Sequence, residues 1–161
     1  MAANYQEMGG GELAVTDIAI RPLQQSDHAD WRRLWTAYLA FYETTVPEDV
    51  YAATWTRLFD PGAFEPKGLL ALGDGKPVGL VHFIFHRTCW SDRNNCYLQD
   101  LFSEPDIRGQ GVGRALIEAV YAEADRRDAA AVYWMTQDFN HTARKLYDRI
   151  ARQTPFIKYQ R

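Results

Sequence analysis

The sequence predicts an α/β fold in which a mixed sheet carries helices on both faces. Three observations carry this. The elements read in the order β-α-α-β-β-β-α-β-α-β. The turn Gly73-Asp74-Gly75-Lys76 joins two apolar runs, which is hairpin chemistry and makes antiparallel neighbours. Further on, a strand, a glycine-rich turn, an amphipathic helix and a short apolar strand follow one another, which is a β-α-β crossover and makes parallel ones.

The elements follow from local pattern. Asp17 to Leu23 alternates and reads as a first strand. Gln25-Ser26-Asp27 offers capping side chains to a helix over His28 to Thr44, with Trp31, Leu34, Trp35, Tyr38, Leu39 and Tyr42 at helical spacing. Pro47 suits the first turn of a second helix reaching Phe59, stopped by Asp60-Pro61-Gly62. Strands follow over Gly68 to Leu72, Pro77 to Cys89 and Cys96 to Ser103. Val112, Ala115, Leu116, Ala119 and Val120 form an apolar stripe on a helix ending near Asp128. Ala130 to Met135 reads as a short strand buried on both sides. Asn140 caps a last helix with Ala143, Leu146, Tyr147 and Ile150 inward, and Thr154 to Gln160 reads as a closing strand.

Composition limits the function classes. A length of 161 residues suits one domain, and 47% apolar residues supply a full core. The net charge of −3 argues against nucleic-acid binding, which needs a basic patch, and is compatible with a cationic substrate. No apolar run is long enough to span a bilayer. The first residues, with their triple glycine, read as a loose tail over 1–16 and not as a signal peptide, so a cytoplasmic protein is expected. Cys89 and Cys96 read as reduced thiols, although both fall in one hairpin where a cross-strand disulfide is conceivable. The four histidines have no metal-ligand spacing, and no metal is expected.

The most specific segment is Leu101 to Ala115, LFSEPDIRGQGVGRA. A glycine-rich turn feeding a helix N-terminus is an anion site, because the first helical N–H groups lack intrahelical partners and the dipole favours negative charge there. Arg108 and Arg114 add charge. Gly113-Arg114-Ala115 lacks the Lys-Ser/Thr of a nucleoside-triphosphate loop, and a dinucleotide fingerprint would need its third glycine at Arg114.

Arg108-Gly109-Gln110-Gly111-Val112-Gly113 resembles the Arg/Gln-x-x-Gly-x-Gly/Ala motif of the GCN5-related N-acetyltransferases (GNAT), and Asn140-His141-Thr142-Ala143-Arg144-Lys145-Leu146-Tyr147 resembles that family's Asn-x-x-Ala-x-x-Leu/Phe-Tyr segment. The resemblance covers Asp17 to Arg161 and implies one N-acetyltransferase domain over 17–161 with a mostly antiparallel central sheet. It implies acetyl-CoA as acetyl donor, with its pyrophosphate on the amides of Arg108, Gly109, Gln110, Gly111, Val112, Gly113 and Arg114. It also implies backbone N–H groups of Leu101, Phe102 and Ser103 on the acetyl carbonyl, and Asn140 and Ala143 beside the pantetheine arm. YLQDLF and TPFIKYQR look closest to the histone- and polyamine-acetylating subgroup.

Acetyl transfer needs a polarised carbonyl, a neutral amine and a proton for the departing thiolate. Tyr147, at the family's tyrosine position, is the expected general acid, since a phenol is protonated at neutral pH. For the amine's proton the candidates are Asp100, Glu104 and Glu43. Asp100 reads equally as a binder of the cationic acceptor or as a solvated strand-end carboxylate. Gln99 stands where polyamine-acetylating relatives often carry a glutamate, and an amide is no base. His82, His86 and His141 match no family role and read as structural. Glu43, Glu48 and Asp49 gather where the first two helices meet, either bordering the acceptor or as a solvated junction. The expected acceptor is a small or peptidyl primary amine, attacking directly without an acyl-cysteine. A homodimer is expected, because only Ala151 to Gln153 separate the last helix from the closing strand and open sheet edges are commonly covered.

Overall fold

The computed structural model describes residues 14–161. Five strands form one sheet in the order β1-β2-β3-β4-β5, numbered along the chain: β1 Ile18–Pro22, β2 Lys67–Gly73, β3 Lys76–His86, β4 Asn95–Ser103 and β5 Ala131–Tyr133. The first three pairings are antiparallel and β4 with β5 is parallel, so the sheet is mixed and mostly antiparallel. The helices are α1 His28–Phe41, α2 Glu48–Leu58, α3 Val112–Arg126 and α4 His141–Ile150. Short 3-10 turns at Gln25–Asp27 and Pro105–Ile107 lead into α1 and into the glycine loop.

Two cores sandwich the sheet. On one face Trp31, Leu34, Trp35 and Leu39 of α1 and Tyr51 and Leu58 of α2 pack on Leu70, Leu80 and Phe102. On the other, Val112, Leu116, Ile117 and Val120 of α3 pack on Ala71, Val81, Phe83, Phe85 and Leu98, with Leu146, Tyr147 and Ile150 of α4 at the margin. Helices thus cover both faces, as the element order implies.

Three details differ from expectation. Helix α1 stops at Phe41, because Glu43 adopts φ +53°, a left-handed conformation that ends a helix. Strand β5 is shorter than 130–135 and is not buried on both sides: Ala131 and Tyr133 are exposed, since β5 is the sheet's outer strand. The closing strand over 154–160 does not form. Phe156, Ile157 and Tyr159 are 77%, 74% and 88% exposed, and no ladder includes them. Three connecting residues extend at most about 10 Å, so the segment leaves α4 without returning to the β5 edge, and Pro155 lacks a ladder donor. Of the tail over 1–16, residues 1–13 lie outside the described residues. Val15 donates its N–H to Gln110 Oε1 at 2.6 Å, and Thr16 bonds Asp74.

Candidate active site

The site is built around an irregularity in β4. In β3, alternation sends Val81, Phe83 and Phe85 toward α3 and Leu80 and His82 toward α1. In β4, Cys96 and Leu98 face α3. The register then slips: Phe83 pairs with Leu98 and His82 with Asp100, leaving Gln99 without an opposite residue. This bulge reverses the alternation. Leu101 now faces α3, while Asp100 and Phe102 face α1.

Asp100 consequently lands beside His82, whose Nδ1 is 3.0 Å from Asp100 Oδ2. The indole Nε1 of fully buried Trp31 donates to His82 Nε2 at 2.9 Å. An indole N–H only donates, so Nε2 is the acceptor nitrogen and the ring proton sits on Nδ1, pointing at Asp100. His82 is therefore an orienting donor, and Asp100, itself 9% exposed, is the carboxylate it holds. Tyr38 stands next to the same carboxylate: burial first, then the Asp100 charge, pushes its phenol well above the ordinary range.

Two openings meet at this bulge. A cavity of about 390 Å³ on the α1/α2 side is lined by Trp35, Thr54, Arg57, Glu65, His82 and Asp100, with Gln99 on its wall. A narrower cleft is lined by Tyr38, Tyr42, Leu98, Gln99, Leu101, Trp134 and Tyr147, so Gln99 borders both. The cleft exists because β5 pairs with β4 only at Asn95, Cys96 and Tyr97, while β4 runs on to Ser103. Beyond that point the strands part, and alternate N–H groups of Leu101, Phe102 and Ser103 on the side away from β3 face the gap. Phe102 itself is buried in the α1 core, so only its backbone is offered.

At the end of β4 the chain enters the glycine loop. Gly109 and Gly111 adopt φ +83° and +93°, a region costly for residues with a Cβ. Gly111 is the N-cap of α3, and the first bond of the new helix runs from Ala115 N to Gly111 O. The N–H groups of Val112, Gly113 and Arg114 thus lack intrahelical acceptors and form a positive cradle. The Val112 side chain is core, so it too contributes only its backbone. Arg108 donates Nε to Ser103 O at 3.4 Å and stacks over Phe41, Arg114 pairs with Glu118 at 2.7 Å, and Gln110 receives Val15. Nothing lies within 4 Å of a Cβ built on Gly109, and only Ile18 Cδ1, at 4.0 Å, approaches one on Gly111, so the loop is open at both glycines.

Asn140 caps α4 by accepting the N–H of Ala143 at 3.3 Å, and its amide nitrogen donates to Thr136 Oγ1 at 3.4 Å. About two helical turns later, Tyr147 lines the cleft, its ring edge-on to Trp134 at 5.3 Å. Burial pushes its phenol to about 12. No described residue shares a hydrogen bond with its hydroxyl, which leaves it free for something in the cleft.

Other candidates fall away. Glu104 is ion-paired to Arg33 and Glu48 to Arg32. Glu43 and Asp49 line neither opening. His86 bonds Tyr133 and His141 sits exposed at the start of α4. Cys89 and Cys96 are both free thiols, and burial pushes Cys96 to about 12, which suits a core residue and not a nucleophile. Among the described residues no His, Cys, Asp and Glu group could hold a metal ion. Sequence reasoning set His82 aside and named neither Tyr38, Tyr42, Trp134 nor Arg57 as site residues; their only signal was apolar or charged spacing, which core and surface residues share.

Comparison with known proteins agrees with this geometry. Residues 29–151 match the family model described as the acetyltransferase (GNAT) family. The chain is 36% identical over 153 residues to the D-amino-acid N-acetyltransferase HPA3 of Saccharomyces cerevisiae, covering 93% of this chain and 94% of that protein. It is 33% identical over 87 residues to the thialysine N-epsilon-acetyltransferase of Sus scrofa, covering 54% of this chain and 47% of that one. In fold it resembles AAC(6')-Iy, solved with the bisubstrate analog CoA-S-monomethyl-acetylneamine, at TM-score 0.77 and 19% identity over 91% of this chain and 98% of that one. With a glycine loop ahead of α3 and the tyrosine of α4 in the cleft where β4 and β5 part, the chain belongs to the acetyltransferase (GNAT) family and is an N-acetyltransferase.

Proposed function

We propose that the protein transfers the acetyl group of acetyl-CoA directly to a primary amine of a small acceptor. The observation that carries this is that two openings share Gln99, a narrow cleft lined by Leu101 and Tyr147 and a cavity lined by Asp100. Acetyl-CoA supplies the activated acetyl carbon. The amides of Gly109, Gly111, Val112, Gly113 and Arg114 hold the pyrophosphate, with Arg108 and Gln110 shaping the loop. Asn140 and Ala143 flank the pantetheine arm, and the backbone of Leu101, Phe102 and Ser103 bonds the acetyl oxygen as charge develops on it. Asp100 draws in the ammonium, which gives up one proton to water in the cavity before attack. The amine nitrogen then bonds the acetyl carbon, the carbon–sulfur bond breaks with its electron pair going to sulfur, and the nitrogen's remaining extra proton leaves through Asp100. Tyr147 donates its hydroxyl hydrogen bond to the forming thiolate.

The names of the yeast and pig relatives, acting on D-amino acids and on thialysine, support a small acceptor. The assay is thiol release from acetyl-CoA across polyamines, lysine peptides, aminoglycosides and amino acids of both hands. Release with none of them, together with no calorimetric binding of acetyl-CoA at millimolar concentration, would overturn the proposal.

The assembly we infer is a homodimer joined through the segment 154–160. Its exposed Phe156, Ile157 and Tyr159, and the outer edge of β5 with exposed Tyr133 and Met135, are apolar surfaces that a second copy covers. The unpaired thiols Cys89 and Cys96 support a cytoplasmic location.

A further inference from the structure

The cavity on the α1/α2 side has charges of both signs. At the sheet, Asp100 is held in one orientation by His82 Nδ1–H, which Trp31 in turn locks. From the last turn of α2, Arg57 lines the same cavity. Several arginines of the sheet and helices have carboxylate partners: Arg21 with Asp27, Arg32 with Glu48, Arg33 with Glu104, Arg114 with Glu118. Arg57 has none within ion-pair distance among the described residues, although Glu65 lines the same cavity. An unpaired guanidinium at a cavity wall is a fork for a carboxylate, because its planar donors match two carboxylate oxygens. For a polyamine, the same guanidinium repels every ammonium beyond the first.

We propose that this cavity takes a free amino acid, with Arg57 receiving the carboxylate and Asp100 the ammonium to be acetylated. This rests on the N-acetyltransferase reading above and narrows its acceptor class. The volume of about 390 Å³ accommodates an amino acid with a large side chain, and Trp35 and Phe64 on the wall offer that side chain apolar surface. Glu65 faces the same space and favours acceptors carrying a second amine on their side chain.

Two matched pairs test this: phenylalanine, as each enantiomer, against 2-phenylethylamine, and lysine against 1,5-diaminopentane. The members of each pair differ in the carboxylate, and comparing wild type with Arg57→Gln cancels the intrinsic reactivity of each amine. In the preferred pair, the ratio of kcat/KM for amino acid over decarboxylated amine is expected to fall about tenfold or more in Arg57→Gln. Arg57→Lys is expected to recover part of it. Calorimetric titration of the preferred amino acid into the protein with coenzyme A is expected to show the same weakening.

Turnover in which that ratio is unchanged by Arg57→Gln overturns the proposal, as does preference for spermidine over every amino acid. Amino-acid binding that depends on Arg57, without any acetyl transfer, would keep this site and sink the N-acetyltransferase chemistry instead. If neither turnover nor amino-acid binding occurs while acetyl-CoA still binds, this acceptor assignment falls; if acetyl-CoA does not bind either, both readings fall.

Discussion

Trp31 and His82 meet in the α1 core through one hydrogen bond, indole Nε1 to imidazole Nε2 at 2.9 Å, and that bond decides which ring nitrogen carries the proton. The expected consequence is directly visible: ¹⁵N-detected spectra of wild-type protein should show His82 as the Nδ1–H tautomer. Trp31→Phe removes the one donor to Nε2 among the described residues while keeping an aromatic ring. It is expected to blur that tautomer preference, lower kcat and leave acetyl-CoA affinity within about twofold, because no part of the cradle touches it. A dominant Nε2–H tautomer in the wild type would contradict the assigned orientation.

Tyr147→Phe separates catalysis from packing. The hydroxyl has no partner among the described residues, so the melting temperature should hardly move. The phenol near 12 is a weaker acid than a thiol near 8.5, so full proton transfer to a thiolate is uphill and the hydroxyl acts mainly as a hydrogen-bond donor. A kcat loss of roughly ten- to a hundredfold is expected, at the low end of general-acid contributions or just below it. A kcat within twofold of wild type, measured beside unchanged acetyl-CoA binding, would remove Tyr147 from the chemistry.

Gly111→Ala places a Cβ where φ is +93°. The strain is about 1 to 2 kcal/mol, and it falls on the cradle because the nearest side-chain atom, from Ile18, lies 4.0 Å from that Cβ and does not clash. KM for acetyl-CoA should rise several-fold with the far-ultraviolet spectrum intact. Gly113 has no positive φ, and its added Cβ would sit 3.6 Å from Leu146 Cδ2, so Gly113→Ala should fold normally while Gly113→Val presses on α4. An unchanged KM in both Gly111→Ala and Gly113→Val would undo the pyrophosphate assignment.

Asp27 gives the fold an acid-sensitive joint. Arg21 reaches it with two bonds of 2.7 and 2.8 Å, and Gln24 N adds a third at 2.7 Å. The Arg21 bond, opposed by burial and helped by Gln24, holds the carboxyl below its usual range. A lowered folded-state value means the stability is present above the unfolded carboxylate value near 4 and is lost as pH falls through the folded one. Asp27→Asn should lower stability by about 2 kcal/mol at pH 7 and flatten the melting-temperature profile below about pH 4. Parallel profiles for variant and wild type would exclude the ion pair as the cause.

Phe156→Asp with Ile157→Asp tests the assembly. The wild type is expected to elute as a dimer at micromolar concentration by light scattering, and the double variant as a monomer. Since both side chains are exposed in the single chain, the variant should still fold. A monomeric wild type would end the homodimer proposal.

What the sequence determined by itself was whatever depends on neighbours along the chain. The helical stripe of α3, the hairpin turn at Gly73-Asp74-Gly75-Lys76, the Asn140 cap with Ala143, and the glycines before α3 each rest on contacts a few residues apart, so pattern and residue type suffice. The closing strand over 154–160 had the right pattern yet found no partner, because a strand is stable only through a ladder whose other half lies elsewhere in the chain. Tertiary structure alone decided where Asp100 sits. Strict alternation along β4 would put Asp100 on the face of Cys96 and Leu98, against α3; the bulge at Gln99 turns it toward α1. There it meets His82, 18 positions away in sequence, which Trp31, 51 positions from His82, holds in place. Nothing local encodes that meeting, because the side chain that locks Asp100 acts through a register slip and a helix packed from the opposite end of the fold.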